Sequence, residues 1–188
     1  VTAIVAIEHD GKVYMGCDSA GLIEGTWDLR LRSEIDDKIV CFPDKHLIIG
    51  VAGSGRWLSL LTDHYAPPDE LEDIGATTRG YVAKVVESLR TLAKEYGALH
   101  NETPNHFDSS LLIGYQGGLW SMDSDFALMK PYHSFAAIGC GDQTALGSIM
   151  TSFAMKPSED KREVLYRALR VAECFSAGVR APFVVKSV

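Results

Sequence analysis

The sequence has no apolar run of 18 residues, the least that spans a bilayer as a helix, so no membrane-crossing helix is expected. It has no CxxC pair. Its four cysteines, Cys17, Cys41, Cys140 and Cys174, are spaced too widely and irregularly for a zinc pattern or a dense disulfide framework. They read as free thiols, which fits a reducing, cytoplasmic setting. No run of five basic residues occurs and the net charge is -7, which argues against a broad phosphate-binding surface and so against a nucleic-acid partner. The six histidines form neither HxxxH nor HExxH, and no metal site is expected. GxSxG and the Walker loop are both missing. Gly139-Cys140-Gly141 lacks the third glycine of a dinucleotide loop, so no cofactor is expected. The acidic stretch Asp69-Glu70-Leu71-Glu72-Asp73 lacks the alternating ligands and central glycine of a calcium loop and reads as a solvated loop. Val1–Ile7 runs straight into Glu8, His9 and Asp10, without the basic start and longer apolar core of a secretory leader, so none is expected.

What is present is a globular composition, with 46% hydrophobic and 23% charged residues in 188. That length suits one domain over residues 1–188, and no linker interrupts it. Residues 2–8 are β-branched and apolar and predict a strand, Asp10-Gly11 a hairpin turn, and Val13–Cys17 the returning strand. Residues 18–36 are mixed and polar and predict a loop with one short strand. Strands are predicted over 38–42 and 46–52, the second apolar enough to be buried on both faces. Helices follow over 55–65 and 77–96; in the second, apolar residues at 81, 82, 85, 86, 89, 92 and 93 form one stripe. A hairpin is predicted over 111–122, then a connection over 123–132, a strand over 134–138, helices over 142–155 and 159–176, and a last strand over 183–188. This order lacks the βαβ alternation of a doubly wound fold. Antiparallel hairpins with helices in pairs predict an α+β protein of two stacked sheets, each with a helical layer outside.

Three features point to chemistry. Thr2 begins an apolar strand. Gly16-Cys17-Asp18-Ser19-Ala20 ends its hairpin partner, which returns Asp18 to the neighbourhood of Thr2. Lys38 leads into the strand pair that closes at Ala52-Gly53. Taken singly, the threonine is an ordinary strand residue and the Lys–Asp couple an ordinary ion pair. Together they can activate a nucleophile. A hydroxyl needs a base to take its proton. An α-amine, with a pKa of about 7.7–8.0, is a base poised near neutrality, so a terminal threonine carries its own. A neighbouring lysine ammonium favours both the neutral amine and the ionised hydroxyl. Asp18 would hold that lysine, and the Gly53 N–H, at a strand-to-helix turn, could donate to an oxyanion.

At these residues the chain resembles the proteasome β-subunit family, and most of all its simpler HslV-type relatives. Thr2-Ala3-Ile4-Val5 resembles the family's Thr-Thr-Ile-Val start, and Gly16-Cys17-Asp18-Ser19-Ala20 its Gly-x-Asp-(Ser/Gly)-x-Ala element. Lys38, Ala52-Gly53, Ile138-Gly139-Cys140-Gly141 and Ser176-Ala177-Gly178 follow in the family's order. The resemblance implies an N-terminal-nucleophile hydrolase fold, a four-layer αββα sandwich. It implies Thr2 as nucleophile and its freed amine as base, Asp18 and Lys38 as electrostatic partners, and the Gly53 amide as oxyanion donor. Cys140 falls where the family has a serine in its Gly-Ser-Gly turn, and a thiol is the weaker donor. The resemblance also implies homo-oligomeric rings that enclose a chamber, unfolded polypeptides as substrates, and a ring ATPase that unfolds them.

The sequence departs from the pattern elsewhere too. Val1 precedes Thr2, and while it is attached the Thr2 nitrogen is an amide and no base. Cys174 occupies an aspartate position of the family, with Glu173 expected to point elsewhere along its helix. The leading reading is a threonine endopeptidase. A proteasome-like shell or scaffold subunit without catalysis and a small-amide hydrolase of the same broad fold are the alternatives. Val51, at the expected base of a side-chain pocket, favours apolar substrate residues, whereas Asp36 at its mouth favours basic ones.

Overall fold

The computed structural model describes residues 2–23, 26–30, 37–69, 77–99 and 106–188. Strand β1 (Ala3–His9) pairs antiparallel with β2 (Lys12–Cys17) across a turn in which Asp10 and Gly11 both take positive φ, 49° and 70°. That left-handed pair is what a tight hairpin requires. A second hairpin, β3 (Ala20–Ile23) and β4 (Thr26–Arg30), stands where a loop with one short strand was expected. Its register shifts at Gly21/Leu22, so the apolar alternation that would betray two strands is broken.

The next sheet begins with β5 (Ile39–Phe42), passes through one 3-10 turn at Pro43–Lys45 into β6 (Leu47–Gly53), and continues after two helices. These are α1 (Gly55–Asp63) and α2 (Thr78–Glu95). Then come β7 (Ser109–Tyr115), β8 (Gly118–Met122) and the two-residue β9 (Leu128–Met129), which lies in the expected connection. Strand β10 (Phe135–Gly139), helices α3 (Asp142–Met155) and α4 (Lys161–Phe175), and β11 (Val184–Ser187) complete the chain. One sheet has the order β10-β1-β2-β11 and the other β5-β6-β7-β8-β9.

The core divides by strand parity. Ala3, Val5 and Ile7 of β1 pack with Ala145 and Ile149 of α3 and with Val164, Leu165, Ala168 and Leu169 of α4. Ile4 and Ala6 turn the other way and meet Met15 and Cys17 together with Ile48 and Leu112 of the second sheet. Alternate side chains of β6 and β7, including Leu47, Ile49, Val51 and Ile113, pack with Trp57 of α1 and with Val82, Val85 and Leu89 of α2. β1 is thus buried on both faces, which its period-two side chains make possible only between two layers. The α2 stripe expected from the sequence is the set of its buried residues. No described helix is long and apolar enough to cross a membrane.

Candidate active site

Thr2 sits immediately before β1 and is only 4% exposed. Asp18 follows β2 and is 1% exposed. The hairpin register pairs Ile4 with Cys17, which returns Asp18 to the start of β1. There the Asp18 backbone N–H donates to the Ala3 carbonyl at 3.3 Å, and the Ala3 N–H donates to Asp18 Oδ1 at 2.9 Å. The same Oδ1 accepts Lys38 Nζ at 2.6 Å. Oδ2 accepts the backbone N–H groups of Ala20 at 3.0 Å and Arg180 at 3.3 Å. A buried carboxylate with one ammonium and three amide donors is fully compensated, the condition for leaving water without large cost. The expected meeting of Asp18 and Lys38 beside residue 2 is observed.

Lys38 leads β5, and its carbonyl accepts the Val51 N–H at 2.9 Å. This places it across from the end of β6, where Gly53 is exposed with φ of 137°. A Cβ on Gly53 would lie 2.2 Å from the Asp108 carbonyl oxygen, so glycine is required by both conformation and space. Gly139, at the end of β10, closes the group. A Cβ there would lie 2.2 Å from the Thr2 carbonyl oxygen and 3.5 Å from Ala52 Cβ. Thr2, Ala52-Gly53 and the β10 end are therefore neighbours. Cys140 is next in the chain. Its exposed Sγ lies 3.0 Å from Ser176 Oγ, joining the start of α3 to the end of α4.

Beside Gly53 lies a cleft of about 410 Å³ lined by Ala52, His106, Phe107, Asp108, Ser109 and Ser124. Val51 does not line it: this side chain turns into the core with Trp57, because Val51 shares the helix-facing parity of Leu47 and Ile49. Asp36 lies outside the described residues. Cys174 is exposed, while Glu173 Oε1 accepts the Ala181 N–H at 3.0 Å and so fixes the loop that supplies Arg180 to Asp18.

The site has contributors that sequence reasoning missed. Ser19 ties the hairpin end to the same late loop, its N–H donating to the Arg180 carbonyl at 2.9 Å and its hydroxyl to the Pro182 carbonyl. Asp37 and Lys186 pair at 2.7 Å beside Lys38. The available signal for Lys186 was a lone charge in the otherwise apolar or small run Phe183–Val188. Buried Cys17 has its thiol pushed up to about 12, mainly by burial and then by the Asp37 charge. Among the described residues, no group of three or more metal-ligating side chains gathers.

No protein-family model matches the sequence, and no curated protein matches it. Solved structures do. BPH from Thiobacillus denitrificans in complex with epoxomicin superposes with a TM-score of 0.80 at 19% identity, over 100% of this chain and 98% of that one. BPH from the same organism described without that inhibitor gives 0.80 and 19%, over 100% and 97%. Eukaryotic HslV from Trypanosoma brucei gives 0.70 at 17%, over 99% and 98%. The chain has the fold of HslV and BPH. The resemblance noted in the sequence thus extends to the architecture of the whole chain, at identities that speak to fold alone.

Proposed function

We propose that this protein is a threonine endopeptidase subunit of a self-compartmentalised, proteasome- or HslV-like ring. The observation that carries the reading is the Asp18 carboxylate, which bonds at once to the N–H following Thr2 and to the Lys38 ammonium at the buried start of β1. Thr2 Oγ attacks a peptide carbonyl carbon while the freed Thr2 amine takes its proton. The Gly53 N–H receives the oxyanion, and the amine returns the proton to the leaving nitrogen. An ester forms on Thr2, and water activated by the same amine hydrolyses it. The Lys38 charge favours the alkoxide, and Asp18 fixes that charge in place. Cys140, at the turn following Gly139, borders this chemistry.

The two sheets with helices α3–α4 on one side and α1–α2 on the other are read as the four-layer αββα sandwich. Exposed Met150, Met155 and Phe175 on α3 and α4, at 50%, 76% and 77%, support burial against further copies in homo-oligomeric rings. Unfolded polypeptides as substrates, a ring ATPase that supplies them and a cytoplasmic location belong to the same reading.

Loss of Val1 is a chemical requirement here, since only then is the Thr2 nitrogen a base. The second reading, a shell subunit without catalysis, applies to chains that keep it. An α′,β′-epoxyketone peptide, of epoxomicin's class, separates the two, because its ketone and epoxide are matched to a hydroxyl and an amine on one residue. Intact-mass measurement is expected to show stoichiometric addition to protein beginning at Thr2, and none to the Thr2→Ala variant or to protein retaining Val1. Undiminished peptide turnover by Thr2→Ala, or by protein with an acylated Thr2 nitrogen, would overturn the mechanism.

A further inference from the structure

We propose that Lys186, from the last strand, is a positioning residue that holds Lys38 on Asp18. The catalytic consequence rests on the peptidase reading, whereas the clamp itself does not. β11 and β5 are edge strands of their two sheets, and Lys186 of β11 reaches the start of β5. Lys186 pairs with Met15 in register and shares the inter-sheet parity of Val184 and Val188. Its ammonium lies 2.7 Å from Asp37 Oδ2 and donates to the Ile39 carbonyl at 3.2 Å. One side chain therefore grips the residues on both sides of Lys38. Asp37 Oδ1 accepts the Ile39 N–H at 2.9 Å, which curls the backbone around Lys38.

The charges make the grip consequential. The Asp37 side chain is only 4% exposed, and among the described residues its Oδ2 accepts no aligned hydrogen bond. Its compensation there is the Lys186 charge. Asp18, Lys38, Asp37 and Lys186 form a neutral set of two ion pairs, each joining the two sheets. Without Lys186, a buried carboxylate adjacent in the chain to Lys38 loses its cation, and the ammonium now bonded to Asp18 shares the surroundings of Cys17 with it and can replace that cation. Lys38 is then drawn from Asp18 toward Asp37, away from Thr2. A misplacement of about 1 Å in a catalytic group costs up to about 10²-fold in rate.

The test compares wild type with Lys186→Met and Lys186→Arg, each in its native assembly. Amine acylation by an N-hydroxysuccinimide ester, read by peptide mass spectrometry, follows Lys38 and, as an internal control, Lys161. Lys161 is equally buried but sits on the opposite helical layer, bonded to the Pro157 and Glu159 carbonyls. In Lys186→Met, Lys38 labelling is expected to rise at least about fivefold with Lys161 unchanged, and in Lys186→Arg to return near wild type, since a guanidinium keeps the charge. In turnover assays kcat falls at least about tenfold with KM within about twofold, as expected for a lost transition-state contribution. Unchanged Lys38 labelling, or a parallel rise at Lys161, overturns the clamp. Selective Lys38 exposure with turnover unaffected in Lys186→Met also overturns the positioning role. Selective Lys38 exposure in protein whose wild type never cleaves peptides upholds the clamp and sinks the peptidase reading instead.

Discussion

Lys38 and Cys17 are both buried polar groups at the seam between the sheets, and their surroundings assign them opposite behaviour. Lys38→Ala removes one partner of a buried ion pair, but Asp18 keeps three amide donors. The stability loss is expected to be about 1–3 kcal/mol, below that of a carboxylate stranded without partners. Turnover should fall by about 10²–10³-fold, the scale of a lost electrostatic contribution to an oxyanion-type transition state. Urea unfolding alongside peptide hydrolysis checks both, and wild-type turnover in the variant removes Lys38 from the mechanism. Cys17 behaves as core. Its thiol, ordinarily near 9.0, is held up at about 12 by burial first and by Asp37 second. Below pH 9 both folded and unfolded chains keep that proton, and the contribution to stability is complete. Above it the unfolded chain ionises first, so stability falls with rising pH, by about 1 kcal/mol per unit, until the folded thiol also ionises. The midpoint of urea unfolding between pH 8 and 11 should therefore decline less steeply in Cys17→Ala than in wild type. In native protein at pH 8, iodoacetamide should modify exposed Cys140 and Cys174 and spare Cys17.

At the scale of elements, helices α2 and α4 show what local sequence can carry. Asp160 caps α4, its Oδ1 accepting the N–H groups of Arg162 at 2.8 Å and Glu163 at 3.3 Å. Asp160→Ala should cost about 1 kcal/mol, seen as a Tm lowered by a few degrees, with turnover intact. The apolar stripe of α2, the first hairpin turn and the span of α3 were all legible, because they rest on spacing and turn chemistry within a few residues. The β3–β4 hairpin was not, since a register shift at Gly21 hides its alternation, and β9 is too short to have a period. In the site, Asp18 and Lys38 could be named because a hairpin and a strand pair return them to Thr2. The layer that Val51 faces was not legible, because parity along β6 is fixed only by which layer covers it. Asp37–Lys186 joins residues 149 apart in the chain, and no local pattern reports such a contact.

The whole molecule is held at the spacing its glycines permit, and the site depends on that spacing. Gly50 of β6 lies under the first sheet. A Cβ there would come within 2.6 Å of Met15 Sδ and 2.7 Å of Ile4 Cγ2. Gly50 also stands opposite Ile39 in the β5–β6 register. Two residues before Ile4 is Thr2, and one before Ile39 is Lys38. A methyl group at position 50 therefore presses on β1, which carries the proposed nucleophile, and on β2, which ends at Asp18, from a place outside the site. Overpacking of this kind costs about 1–3 kcal/mol. If the sheets were merely a scaffold, Gly50→Ala would lower Tm and leave kcat of the folded fraction unchanged. Because β1 and β2, which bring Thr2 and Asp18 together, both rest on this contact, kcat should fall with Tm, by about tenfold or more for a displacement near 1 Å. Gly147→Ala supplies the contrast, since a Cβ on this exposed α3 glycine meets nothing within 4 Å. It should raise stability by about 0.5–1 kcal/mol through helix propensity and leave kcat where it was. Thermal unfolding and initial rates on the two variants decide whether sheet spacing sets the geometry at Thr2.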